Sequence, residues 1–372
     1  MPVPGIAIGR LHSTVVGLSL LMAACSGGST SSEMETTGAS APAPATTAPT
    51  PSPTPEPTLL PLPDLDLAEA QTWFSPNMGS VDFPELFSQP DRWAAAREAV
   101  DVFAFSANSM SGDPYDIGGD NVLDTFVAVD AFAHLYRWDI PIAIEGGAVK
   151  FFACDHASWA DYANRAIANV EAHGGRVTFF TMDEPLLGGQ LVENGMACGY
   201  AIEETAAEVA EFVADVTAEH PDVRIGVVEP YPHIGADELL AWLSALANAG
   251  AAPAFFHLDV DMERVAVEGH DVAGDLARLA AGSAAAGVPF GVILTSNWTE
   301  AGTDAGYVAS TLEWAEVVQG AIGSPTHLVV QSWQGPAASG RHEVPINLPD
   351  EVGAISHTRL ILDLLAIFEP GS

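Results

Sequence analysis

The feature that most constrains this chain is an eightfold alternation of a short apolar strand and a helix-patterned stretch. The strand candidates lie at 72–77, 102–108, 140–145, 176–184, 223–229, 254–261, 288–297 and 327–333. Their starts are spaced by roughly 30 to 50 residues, enough each time for a strand, a loop and a covering helix. Eight such units predict a parallel sheet closed on itself, the (β/α)8 or TIM barrel, in which functional groups gather at the C-terminal ends of the strands. Glu145, Asp183, Glu184, Glu229, Asp259 and Asp261 all fall at those ends. An acidic rim on a barrel mouth points to an enzyme.

The covering helices are legible between the strands. Val122, Phe126, Val129, Phe132 and Leu135 recur at three- and four-residue spacing and predict one helix over 121–138. Similar patterns predict helices at 91–100, 158–173, 203–220, 237–247, 272–285, 305–321 and 351–368. The competing fold is an open doubly wound sheet in two lobes. No midpoint break marks such lobes, and no Gly-x-Gly-x-x-Gly turn follows the first strand to hold a dinucleotide. No cofactor is expected.

The segment before the strands reads differently. Residues 1–24 carry Arg10, then an apolar run too short to span a bilayer, then small residues ahead of Cys25. This resembles a bacterial lipoprotein signal, which implies lipidation at Cys25 and an anchor at the outer face of a membrane. Residues 25–62 are rich in Ser, Thr, Pro, Gly and Ala and predict an extended tether with nothing to bury. Residues 63–372 are left for a single barrel domain. Two further cysteines, Cys154 and Cys198, fall in loops on the same barrel face. Outside the cytoplasm a disulfide between them is reasonable, and two free thiols are the alternative.

The net charge is −37, from 49 acidic and 12 basic residues, and Lys150 is the sole lysine. Such a surface repels phosphate backbones and excludes nucleic acid as a partner.

The sharpest local motif is Thr181-Met182-Asp183-Glu184-Pro185, where a buried-looking strand stops at two carboxylates and a proline. Strand alternation predicts that one carboxylate enters the site while the other supports it from behind. Close carboxylates raise one another's proton affinity and keep one available as an acid. Ile225, Val227 and Glu229 share parity, so Glu229 is expected to extend an inward-facing row. Phe255, His257, Asp259 and Asp261 form a second such row.

With these residues the chain resembles the (β/α)8-barrel glycoside hydrolases. Many of them carry Asn-Glu-Pro or Asp-Glu at the end of the fourth strand. The resemblance implies Glu184 as general acid/base, Asp183 as its electrostatic partner, and a carbohydrate as substrate. A second carboxylate is normally needed, about 5 Å away for retention and farther for inversion. The chain departs from the most populous clan at strand seven, where Leu294-Thr295-Ser296-Asn297 carries no acid and Glu300 lies beyond. Glu229 is therefore the first choice for base or nucleophile, and Asp259 the second. Some barrel hexosaminidases use an Asp-Glu pair with substrate assistance and no enzymic nucleophile, a scheme that Asp183-Glu184 would also suit.

Rim side chains suited to sugars complete the expected site. Tyr231, Trp298, Trp333 and Trp73 offer flat rings for stacking, and Asn108, Asn297, Asn77, Gln331, Glu145, Asp259 and Asp261 offer hydroxyl partners. One rival is a metal-dependent hydrolase using His156, His233, His257, Asp259 and Asp261, although no His-Glu-x-x-His helix occurs. The other is a non-catalytic, surface-anchored glycan-binding lipoprotein on the same barrel.

Overall fold

The computed structural model describes residues 65–111, 122–151, 153–193, 196–296, 303–332 and 345–369. Eight parallel strands form the barrel: β1 Gln71–Ser75, β2 Val102–Ser106, β3 Ile142–Gly146, β4 Val177–Asp183, β5 Arg224–Tyr231, β6 Phe256–Val260, β7 Phe290–Leu294 and β8 His327–Gln331. Each strand pairs with its sequence neighbours, and β1 closes the ring against β8 from Gln71↔His327 to Ser75↔Gln331. The fold is a (β/α)8 TIM barrel.

The helices lie near their expected positions. His156–Ala172, Ile202–Glu219, Ala236–Asn248, Val272–Ala285 and Asp304–Ile322 cover the barrel. Two expectations are corrected. The single helix over 121–138 is two, Val122–Ala128 and Ala131–Arg137, because Asp130 takes a left-handed conformation (φ 51°) that breaks the run. The last helix begins at His357 rather than 351, where the Ser356 side chain accepts the Arg359 N–H and caps it.

Alternation along the strands separates two apolar compartments. Trp73, Val102, Ala104, Ala143, Phe179, Val228, Phe255, Ile293 and Val329 pack inside the barrel. Phe103, Phe105, Ile142, Ile144, Phe180, Met182, Ile225, Val227, Leu258, Val292 and Leu294 face the helices. Inside, the Trp73 ring lies 5.0 Å from Phe179 and 4.9 Å from Phe255, filling the lumen. The segment before β1 closes the floor: Leu67 packs with these rings, and the Arg224 guanidinium donates to the Leu65 carbonyl at 2.8 Å.

Two histidines belong to this floor. His327 Nε2 lies 3.0 Å from the Leu67 carbonyl oxygen, and a carbonyl only accepts, so that nitrogen bears hydrogen. His327 Nδ1 is then the acceptor for His257 Nε2–H at 2.9 Å. Burial disfavours the charged form of both, pushing His327 down to about 4 and His257 well below the usual range. They stay neutral and structural.

Candidate active site

At the C-terminal end of the barrel, β3, β4 and β6 deliver the acids. Ala143 and Phe179 point into the lumen, so by alternation Glu145 and Asp183 do too, at the ends of β3 and β4. Phe255 and His257 set the same facing for Asp259 on β6. Continued alternation would turn Glu184 away from them. It does not, because Glu184 adopts φ 48°, ψ 49°, a left-handed conformation at the junction of β4 and helix Pro185–Gln190. The following proline disfavours the ordinary helical conformation at Glu184. Its N–H donates to the Val228 carbonyl at 3.0 Å, and its own carbonyl accepts the Gly188 N–H at 2.9 Å.

The turn brings both carboxylates to one cation, which corrects the expectation that they divide between front and back. Lys150 Nζ lies 2.9 Å from Asp183 Oδ2 and 3.6 Å from Glu184 Oε2. Its side chain is 14% exposed, against 39% for Asp183 and 28% for Glu184. These two carboxylates raise the lysine's pKa against the opposing effect of burial. In the sequence Lys150 figures only in the charge balance. Its being the sole lysine was the signal that could have found it.

Among the described residues the other two mouth carboxyls, Glu145 and Asp259, have no ion pair of their own. Glu145 accepts two hydrogen bonds from Gln331 Nε2, at 3.1 and 3.2 Å. Burial and the Asp183 charge nevertheless raise its pKa to about 8. Asp259 is likewise raised to about 8, by burial and then by the charges of Glu184 and Asp183. Its Oδ1 is buried without a hydrogen-bond donor among the described residues. Glu184 is raised too, by burial and then by Asp183. The mouth therefore combines two carboxyls paired to one lysine, Asp183 and Glu184, with two others, Glu145 and Asp259, whose pKa values are raised to about 8.

Glu229 is placed differently from the expected inward row. Ile225 and Val227 face the helices, and Glu229 shares their side, fully buried. Its carboxyl accepts the backbone N–H of Leu186 at 2.8 Å and of Leu187 at 3.4 Å, two of the unpaired donors in the first turn of helix Pro185–Gln190. It supports the Glu184 turn from behind. Tyr231 is also outward, 1% exposed, with its hydroxyl donating to Asp275 Oδ2 at 2.7 Å. It offers no ring to the mouth.

Other expected contacts are redistributed. Trp73 is in the lumen, with Nε1 donating to Gln71 Oε1. Asn77 is buried, and its Nδ2 donates to the Pro345 carbonyl. Asn108 is on the short helix Ala107–Met110 past β2, where it accepts the Tyr162 hydroxyl. Asp261 caps helix Met262–Glu268 through the Arg264 N–H and pairs with His233 at 3.2 Å. Asn297, Trp298, Trp333, Glu300 and Cys25 lie outside the described residues.

The histidines proposed for a metal are separated. His156 pairs with Glu208 at 2.7 Å, His233 with Asp261, and His257 with His327 in the floor. Among the described residues no group of three or more His, Cys, Asp or Glu is gathered for a cation. Cys154 and Cys198 are joined in a disulfide, with Cα atoms 5.4 Å apart, tying the loop after β3 to the loop after β4.

No protein-family model matches this sequence, and no curated protein matches it. Solved structures share the barrel at low identity. The endo-beta1,6-glucanase BT3312 aligns with a TM-score of 0.51 at 14% identity, over 82% of this chain and 76% of its own. The Bacillus sp. JAMB-750 GH26 endo-beta-1,4-mannanase aligns at 0.50 and 11%, over 81% and 86%. The aldolase QR15 aligns at 0.40 and 7%, over 72% and 91%. Similarity at this level is similarity of fold.

Proposed function

We propose that this barrel hydrolyses a glycosidic bond in an extracellular poly- or oligosaccharide, with Glu184 as the general acid. The observation that carries this reading is the Asp183–Lys150–Glu184 arrangement at the end of β4. Burial and the neighbouring Asp183 charge raise the proton affinity of Glu184, the direction required of an acid that protonates a leaving oxygen. Asp183, ion-paired to Lys150, is the negative group beside it and faces the positive charge that develops on the sugar ring in an oxocarbenium-like transition state. Asp259 on β6 replaces Glu229 as the candidate second carboxyl, since Glu229 is turned away and committed to Leu186 and Leu187. With its pKa raised to about 8, Asp259 serves as base or nucleophile only in its ionised fraction. The disulfide supports a location outside the reducing cytoplasm, as does the resemblance of residues 1–25 to a lipoprotein signal.

The test is reducing-sugar release from a broad glycan panel by wild type beside Glu184→Gln. Release that collapses in the variant supports the assignment. Release that survives moves the acid elsewhere on the rim. Glycan binding without cleavage, unchanged by Glu184→Gln, would replace the enzyme with a binding protein.

A further inference from the structure

In a chain of 372 residues with 49 acids, the single lysine is held in the mouth by three separate constraints. The backbone of Lys150 exchanges hydrogen bonds with Ala153, at 3.3 and 2.9 Å, forming a tight turn beyond β3. The helix after Glu184 packs onto this turn at Gly188. A Cβ there would lie 2.2 Å from the Val149 carbonyl oxygen and 3.0 Å from Lys150 Cα. The disulfide then fixes Cys154, next to Ala153, to Cys198, whose Sγ lies 3.4 Å from the Lys150 carbonyl oxygen. The two loops that carry Lys150 and follow Glu184 are thus fastened to each other around the ion pair.

We propose that Lys150 is a positioning residue of this site, holding Asp183 and Glu184 in one arrangement through its two contacts, and that the Cys154–Cys198 disulfide keeps it there. The catalytic consequence rests on the glycosidase reading; the placement does not.

The charges around the site set the expected effect. Lys150 contacts Asp183 and Glu184 at the end of β4 and feels, more weakly, the charge of the buried Glu229 on β5. Glu184 faces Asp183, Lys150 and His233. Glu145 and Asp259 feel the negative charges of Asp183 and Glu184 across the mouth. Without the ammonium Glu184 loses a charge that lowers its pKa and keeps the Asp183 charge that raises it, so it binds its proton more tightly and the pH profile moves upward.

Because the chain has one lysine, labelling with 13Cε,15Nζ-lysine gives one side-chain resonance that reads this placement without any substrate. In the full chain the resonance should remain protonated above the ordinary lysine midpoint of about 10.4. It should also inflect at lower pH as its carboxylate partners titrate. Asp183→Asn and Glu184→Gln should each remove part of that inflection. Cys154→Ser/Cys198→Ser should move the resonance toward that of a free lysine. On any glycan that is cleaved, Lys150→Met should raise the pH optimum by about one unit, with Lys150→Arg restoring most of the wild-type profile. A resonance at the free-lysine position with no lower inflection would overturn the placement. A resonance unmoved by the double serine variant would remove the disulfide from it. An unchanged pH profile in Lys150→Met, with activity intact, would remove the positioning role while leaving the glycosidase reading in force.

Discussion

The carboxyl of Glu229 accepts the Leu186 N–H at 2.8 Å, so an acid one strand away from Glu184 acts on the backbone beneath it and not on the mouth. Helix Pro185–Gln190 starts without a capping side chain of its own, and Glu184 precedes it in a left-handed conformation. A buried acceptor from β5 satisfies the exposed donors and holds that conformation. Glu229→Gln, which keeps one acceptor oxygen, should retain most activity, whereas loss of a true nucleophile would remove nearly all. Glu229→Ala leaves the Leu186 N–H unpaired and should cost about 1–3 kcal/mol in urea denaturation. Near-complete loss of activity in a stable Glu229→Gln would return Glu229 to the chemistry.

Glu184→Gln should lower turnover by about 10²–10⁴ with the fold intact, the usual worth of a positioned general acid. A normal thermal melt beside the lost rate distinguishes this from unfolding.

The contribution of Glu145 and Asp259 to stability should fall as pH rises from about 4 to 8. Glu145 and Asp259 have folded-state pKa values raised to about 8, above the unfolded values of about 4.3 and 3.9. Between those limits the folded state retains a proton that the unfolded chain gives up, so each group weakens folding progressively until it too ionises near 8. Asp259→Asn removes one such group and should flatten the slope, raising the melting temperature at pH 8 more than at pH 5. An equal change at both values would contradict the assignment.

Gly188→Ala should destabilise by about 1–3 kcal/mol, because the added methyl meets backbone at the Val149 carbonyl, which cannot swing aside as a flexible side chain would. Activity should fall along with it, since the displaced partner is the Lys150 turn. Equilibrium denaturation and the rate at saturating substrate check the two halves separately.

Tyr231→Phe tests the outward placement of the ring. It removes one buried hydrogen bond to Asp275 and should cost roughly 0.5–1.5 kcal/mol while leaving turnover and KM unchanged. A raised KM would put the hydroxyl in the substrate site.

The amino-acid sequence by itself determined the barrel and its acidic end. Eight apolar runs at strand length, separated by helical periodicity, leave little other closure, and a strand that stops at Asp183-Glu184-Pro185 marks its own C-terminal end. It did not determine which way alternate residues point. In a parallel barrel both strand faces are buried, one by lumen side chains and the other by helices, so an apolar row reads alike on either side. Glu229 and Tyr231 were misplaced for that reason: Ile225 and Val227 pack on helices rather than in the lumen. Alternation failed again at Glu184, where a single left-handed residue re-aimed the carboxyl. The cation between the acids and the bond between Cys154 and Cys198 depend on distances across separate loops. Only closure of the ring brings β3 and β4 side by side and sets those distances, and so decides that the one lysine of the chain lies between Asp183 and Glu184.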